Sequence, residues 1–102
     1  MANLSDSNYD HIVVGGGAMG AATAWQLAKR GRSVLLIEQF TQDHVSGSSH
    51  GGTRIFRLGH EQQTYTTLGI AALDLWRALE AESNETLVEL IGHVDHGPAE
   101  IV

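Results

Sequence analysis

A Rossmann-like α/β fold, incomplete within 102 residues, is what three features of this sequence predict. The apolar run Ile12 to Val14 breaks directly into Gly15-x-Gly17-x-x-Gly20. A helical pattern follows from about Ala18 to Arg30. A second apolar run, Val34 to Ile37, ends on Glu38. Strand, glycine turn, helix, strand and acid in that order describe a dinucleotide-binding βαβ unit over residues 10–38.

Each element has its own justification. Residues 1–8 are polar and predict a flexible tail; they lack the basic-then-apolar order of a secretion signal. Gly15 allows a sharp turn at the strand end, where a side chain would strain the backbone. Gly17 has no Cβ, so the backbone can come close to a pyrophosphate, and Gly20 allows tight packing of helix on strand. The helix N-terminus adds unpaired N–H groups and the positive end of its dipole. Ala18, Ala21, Ala22, Trp25 and Ala28 lie on or near one stripe, with Leu27 beside it, and Trp25 reads as core. Lys29 and Arg30 suit the negative end of the dipole, and Gly31 suits the C′ position. Val34 to Ile37 is continuously apolar, as expected of a parallel strand covered on both faces.

Glu38 stands eighteen positions after Gly20. An acid about 20 residues beyond the glycines accepts hydrogen bonds from ribose hydroxyls. A carboxylate there repels a 2′-phosphate, which disfavours NADP.

Residues 39–60 have no periodicity and are rich in Gly, Ser, Thr and His. A loop of that length in a compact domain is usually functional or disordered. Arg54 and Arg57 bracket an Ile-Phe pair and would share one face on a turn of helix. Hydroxyls, backbone amides and two arginines suit an anionic ligand; the alternative is a solvated loop. Helical spacing returns over 64–83, where Leu68, Ala71, Ala72, Leu75, Trp76 and Leu79 form a stripe expected to be core. A strand is expected to start within 86–98, with a turn at Gly97-Pro98. His93 and His96 flank Asp95, but Gly92 and Gly97-Pro98 argue against the helix that would make them metal ligands, so no metal site is expected. His11, His44 and His60 show no identifiable partners.

Composition narrows the classes further. Six basic residues, scattered in a chain of net charge −6, do not suit a phosphate backbone, so no nucleic-acid partner is expected. With no cysteine there is neither a disulfide framework nor a thiolate metal site. No apolar run approaches the ~20 residues that span a bilayer, and a cytoplasmic location without membrane association is the expectation. A doubly wound domain needs more strands than two. The chain therefore reads as the N-terminal piece of a longer protein or as a truncated product.

Three stretches, Val13-Val14-Gly15-Gly16-Gly17-Ala18-Met19-Gly20, Gly47-Ser48-Ser49-His50-Gly51-Gly52-Thr53-Arg54-Ile55-Phe56-Arg57, and Tyr65 with Leu73-Asp74-Leu75-Trp76-Arg77-Ala78-Leu79-Glu80, resemble the monomeric sarcosine oxidase and N-methyltryptophan oxidase family. These belong to the wider group of FAD-dependent amino-acid oxidases resembling D-amino-acid oxidase. Val94-Asp95-His96-Gly97-Pro98 is similar to a further family segment, so the resemblance runs from about Tyr9 to Pro98. The His-Gly-x-Thr-Arg-x-x-Arg segment is its most specific part.

The resemblance implies FAD as cofactor. It places Gly15, Gly16, Gly17, Ala18, Met19 and Gly20 at the pyrophosphate and Glu38 at the adenosine ribose, with Gln39, Ser49 and Arg54 also in the cofactor set. It further implies that His50 and Arg54 lie beside the flavin ring and that Arg57 binds the substrate carboxylate, which makes His50, Arg54 and Arg57 the candidate catalytic residues. A cation near the ring would stabilise negative charge on the reduced flavin. The implied reaction oxidises the C–N bond of sarcosine or another secondary amino acid. Dioxygen is the second substrate, hydrogen peroxide a product, and the imine hydrolyses to an aldehyde and an amine. A monomer is the implied state.

The family's flavin-linking cysteine and oxygen-activating lysine lie downstream of these residues, and the 102 residues alone are not expected to catalyse. Two other readings stand beside this one: the cofactor half of an NAD-dependent dehydrogenase, and a non-catalytic truncated nucleotide-binding protein.

Overall fold

A computed structural model describes residues 8–98. Residues 1–7, most of the expected tail, lie outside that range. The chain divides into two compact units, Met1–Gly52 and Thr53–Val102, and each is taken by itself.

The first unit is the βαβ unit. Strand β1 (His11–Val14) and strand β2 (Val34–Ile37) pair in parallel, His11 opposite Val34 and Val14 opposite Ile37, and helix α1 (Ala18–Lys29) connects them. The start of the pair is set by a reciprocal bond between flanking residues. Asp10 N–H donates to Ser33 Oγ at 2.9 Å, and Ser33 N–H donates to Asp10 Oδ2 at 3.0 Å. That backbone donation from Ser33 holds the Asp10 carboxyl below its ordinary range. At the other end the ladder runs on into the glycine turn, where Gly15 N–H donates to Ile37 C=O at 2.7 Å.

The end of α1 is built as the sequence predicts. Gly31 takes φ +72°, its N–H donates to Ala28 C=O, and Arg32 N–H donates to Leu27 C=O. These two bonds are the Schellman closure, which a left-handed C′ glycine permits. Lys29 Nζ sits 4.7 Å from the centre of the half-buried Trp25 ring, so the indole is capped by a cation rather than enclosed.

The expectation that β2 is covered on both faces does not hold among the described residues. Within the first unit only α1 packs on the sheet, and Leu36 and Ile37 of β2 remain 41% and 44% exposed. One helix covers one face.

The second unit is organised by helix α2 (Gln63–Ser83), which ends on Asn84 in the left-handed conformation. The stripe expected to be core is only partly covered within this unit: Ala72 and Leu79 are half-buried, while Leu68 and Leu75 are 60% and 62% exposed. A different side of the helix is covered by flanking chain. A Cβ on Gly69 would lie 3.0 Å from Leu58 Cδ2 and 3.4 Å from Arg57 O, so the glycine admits the 57–58 segment against the helix. Near the C-terminal end Glu80 gathers the returning chain. Its Oε1 accepts from Leu87 N–H at 2.8 Å and Val88 N–H at 2.9 Å, and its Oε2 accepts from Arg77 at 2.5 Å. Arg77 also donates to Val88 C=O at 2.9 Å. The Val88 N–H, then Arg77, pull the Glu80 carboxyl down to about 2, so the clamp is ionised far below neutral pH.

This clamp accounts for a further correction. Residues 86–98 contain no strand among the described residues. The N–H groups of Leu87 and Val88 that a ladder would need are held by a side-chain carboxylate instead.

Candidate functional site

Three devices in the first unit converge at the C-terminal end of the two strands. The first is the turn. Gly15 adopts φ +101°, a conformation that L side chains rarely take, and Gly17 follows as the extended N-cap of α1. The helix then passes so close to the turn that a Cβ on Gly20 would fall 1.8 Å from Gly15 O and 2.9 Å from Gly15 C. Only hydrogen fits. No side-chain cap comes from Gly17, and helix geometry leaves the Met19 and Gly20 N–H groups without intrahelical acceptors.

The second device is Glu38, the residue after β2. Its Oε2 accepts from Gly16 N–H at 2.7 Å and its Oε1 from Phe40 N–H at 3.0 Å. His44 Nε2 lies 3.5 Å from the same Oε1. The Gly16 amide first, then the Phe40 amide, hold the carboxyl below its ordinary range. The acid is thus a fixed anion at the mouth of the turn. A Cβ on Gly16 would meet Glu38 Oε2 at 3.3 Å, so the middle glycine of the three makes room for the carboxylate. Its N–H is committed to Glu38, so it is the Met19 and Gly20 N–H groups that the start of α1 leaves without a backbone acceptor.

Ser49 is the third device. Its Oγ accepts from Ala18 N–H at 3.0 Å, across 31 residues of sequence, and a Cβ on Gly17 would lie 3.1 Å from the same atom. A hydroxyl that accepts from the helix start keeps its own proton to donate to an anion placed there.

Turn, acid and loop enclose a cavity of about 930 Å³, bounded by residues 14–17, by Ile37 and Glu38, and by the loop from Gln39 to Gly51. Of the residues expected to bind the cofactor or act beside it, Gly15, Gly16, Gly17, Glu38, Gln39, Ser49 and His50 line this cavity. Ala18, Met19 and Gly20 form the first turn of α1 at its edge. A fixed carboxylate, an amide-rich helix start, and a first helical turn that admits no Cβ at Gly20 form a donor and acceptor set that fits a dinucleotide.

Arg54 and Arg57 belong to the second unit. The segment around them is irregular, so the shared face that a helical turn would give them is not formed. Arg54 donates to the carbonyl of Thr53 at 3.2 Å. Arg57 is exposed and lines a second cavity of about 550 Å³ with His60, Tyr65, Asp95 and His96 among its neighbours. His60 and Tyr65 have ring centres 5.8 Å apart. His93 Nε2 meets Asp95 Oδ1 at 2.6 Å, and no group of three metal-ligating side chains forms among the described residues.

His44 is the residue that sequence reasoning passed over. Nothing in spacing pointed to it, because it returns to Glu38 through an irregular loop whose turn includes Asp43 at φ +63°.

Comparison with known proteins agrees with this geometry. Residues 10–100 match the family described as FAD dependent oxidoreductase. The chain is 40% identical over 93 residues to a monomeric sarcosine oxidase of Bacillus sp. (strain B-0618), covering 90% of this chain and 24% of that protein. It is 37% identical over 92 residues to an N-methyl-L-tryptophan oxidase of Yersinia pestis (strain Pestoides F), covering 89% and 25%. Among solved structures it is similar to NikD, an unusual amino acid oxidase essential for nikkomycin biosynthesis. There the TM-score is 0.72 and the identity 44%, over 76% of this chain and 20% of that one. The chain spans about a quarter of the length of the curated relatives it matches.

Proposed function

The chain belongs to the FAD-dependent oxidoreductase family, and from that premise we propose that it supplies the FAD-binding segment of an oxidase acting on the C–N bond of a secondary amino acid. Sarcosine and other N-methyl amino acids are the proposed substrates, with dioxygen as the electron acceptor. One observation carries this reading. The family match covers residues 10–100 as a whole, taking in the Arg54–Arg57 segment as well as the glycine turn that many nucleotide-binding proteins share.

The parts played by this chain follow from its geometry. The start of α1, with Ser49 beside it, would hold the diphosphate, and Glu38 would accept hydrogen bonds from the adenosine ribose. When bound, FAD supplies the capacity to take up a hydride from the amino acid's C–N unit and to return the electrons to dioxygen. Arg57 would pair with the substrate carboxylate through its planar fork of donors, fixing which end of the amino acid is held. His50 and Arg54 would present positive or polar groups to charge that develops during oxidation.

The test is anaerobic mixing of the intact protein, loaded with FAD, with sarcosine, N-methyltryptophan or NADH. Loss of the flavin's visible absorption with an N-methyl amino acid, followed by hydrogen peroxide on admission of air, is the expected result. Bleaching by NADH alone would overturn the proposal and favour a nicotinamide-linked enzyme.

A further inference from the structure

We propose that His44 is a positioning residue for Glu38, setting that carboxylate to receive the adenosine ribose. This rests on the reading of Glu38 as the ribose acid.

The imidazole is bonded at one nitrogen and turned toward Glu38 with the other. Ser46 N–H donates to His44 Nδ1 at 3.1 Å, so Nδ1 is an acceptor and the ring proton belongs on Nε2. Nε2 is the atom 3.5 Å from Glu38 Oε1. The loop is shaped to keep it there: His44 N–H donates to Thr41 C=O at 3.3 Å, and the Phe40 and His44 ring centres are 4.8 Å apart at a tilt of 58°. The two side chains are only 22% and 25% exposed, and both line the 930 Å³ cavity.

The consequence is a division of labour on one carboxylate. Oε1 accepts from Phe40 N–H and faces the ring Nε2 of His44, while Oε2 has a single protein donor, Gly16 N–H. A carboxylate has about four acceptor sites. With Oε1 occupied from the loop side, acceptor capacity remains on Oε2 for a ribose hydroxyl. His44 would act through Glu38, not by touching the sugar, and its effect should be confined to ligands that carry the adenosine half.

Two substitutions separate the two ring contacts. His44→Gln places an amide donor near the Nε2 position, whereas His44→Asn places an acceptor near Nδ1 and leaves Glu38 without its partner. Intact protein prepared free of flavin is titrated calorimetrically with ADP, which carries the ribose and diphosphate, and with FMN, which lacks the adenosine. His44→Asn is expected to weaken ADP about fivefold, the worth of one modest hydrogen bond, with FMN unchanged. His44→Gln should stay within about twofold of the parent on the same scale, and the His44→Asn loss should vanish in a Glu38→Gln background.

An unchanged ADP affinity in His44→Asn overturns the proposal. So does an equal loss in the Glu38→Gln background, which would mean that His44 merely braces the loop, or a His44→Gln variant as weak as His44→Asn. A parent protein that binds no ADP, or a Glu38→Gln variant that binds it normally, would instead remove the ribose reading of Glu38 and this inference with it.

Discussion

Gly20→Ala in the intact protein is expected to weaken FAD binding severely. The new methyl carbon would stand 1.8 Å from Gly15 O and 2.9 Å from Gly15 C, and both of those atoms are backbone. No rotamer relieves such an overlap, so α1 must move away from the strand end. The displaced helix carries the N–H groups of the proposed diphosphate seat, and the dissociation constant should rise by roughly a hundredfold or more, a loss of two or more charge-assisted hydrogen bonds. Gly17→Ala is the companion that keeps the experiment decisive if Gly20→Ala fails to fold. Its Cβ meets only the Ser49 side chain, Oγ at 3.1 Å and Cβ at 3.8 Å, and that hydroxyl can turn aside. That variant should keep its far-ultraviolet circular dichroism while losing affinity for FAD, because the methyl lies where the phosphates approach. Parent-like binding in either variant would contradict the seat.

Arg57→Ala is expected to raise KM for N-methyl amino acids about a hundredfold, with FAD still bound and a smaller change in kcat. Removing one partner of a hydrogen-bonded charge pair has effects of this order. Arg57 is exposed and borders a cavity of about 550 Å³, so in the described residues it has room to meet a ligand. Arg57→Lys should recover only part of the loss, since an ammonium keeps the charge but not the two parallel donors that match a carboxylate. Steady-state kinetics with an N-methyl amino acid and with the corresponding amine lacking the carboxyl group check the assignment. The amine should be indifferent to the substitution. Equal KM values for parent and Arg57→Ala with the amino acid would remove Arg57 from substrate binding.

The part of this site that was legible in the sequence is the part governed by local rules. Gly15, Gly17 and Gly20 announce a turn, a close approach and a tight helix–strand contact through spacing alone, and Glu38 follows from the length of one helix and one strand. Gly31 was readable because a Schellman closure favours glycine at one position. His44 was not readable. It reaches Glu38 through an irregular path of five intervening residues, and no periodic pattern encodes where an irregular path returns. Ser49 was marked only by resemblance, and its bond to Ala18 N–H spans 31 residues.

The mistaken expectations share a different cause. The Leu68, Leu75 and Trp76 stripe is a sound amphipathic pattern, yet periodicity says only which face is apolar and not what covers it. Val34 to Ile37 has the composition of a doubly covered strand, while its own unit supplies a single helix. At Leu87 and Val88 strand propensity lost to a local competitor. The Glu80 carboxylate takes both backbone donors, a bond that depends on Asn84 turning the chain back through φ +57°.

Every proposed role rests on a diphosphate lying against the start of α1 while Glu38 holds the ribose. Titration of the intact, flavin-free protein with FAD, followed in the visible absorption of the protein fraction after free flavin is removed, tests it most directly. The expected result is a yellow protein that saturates with one FAD per chain. A protein fraction that stays colourless at excess FAD would contradict it.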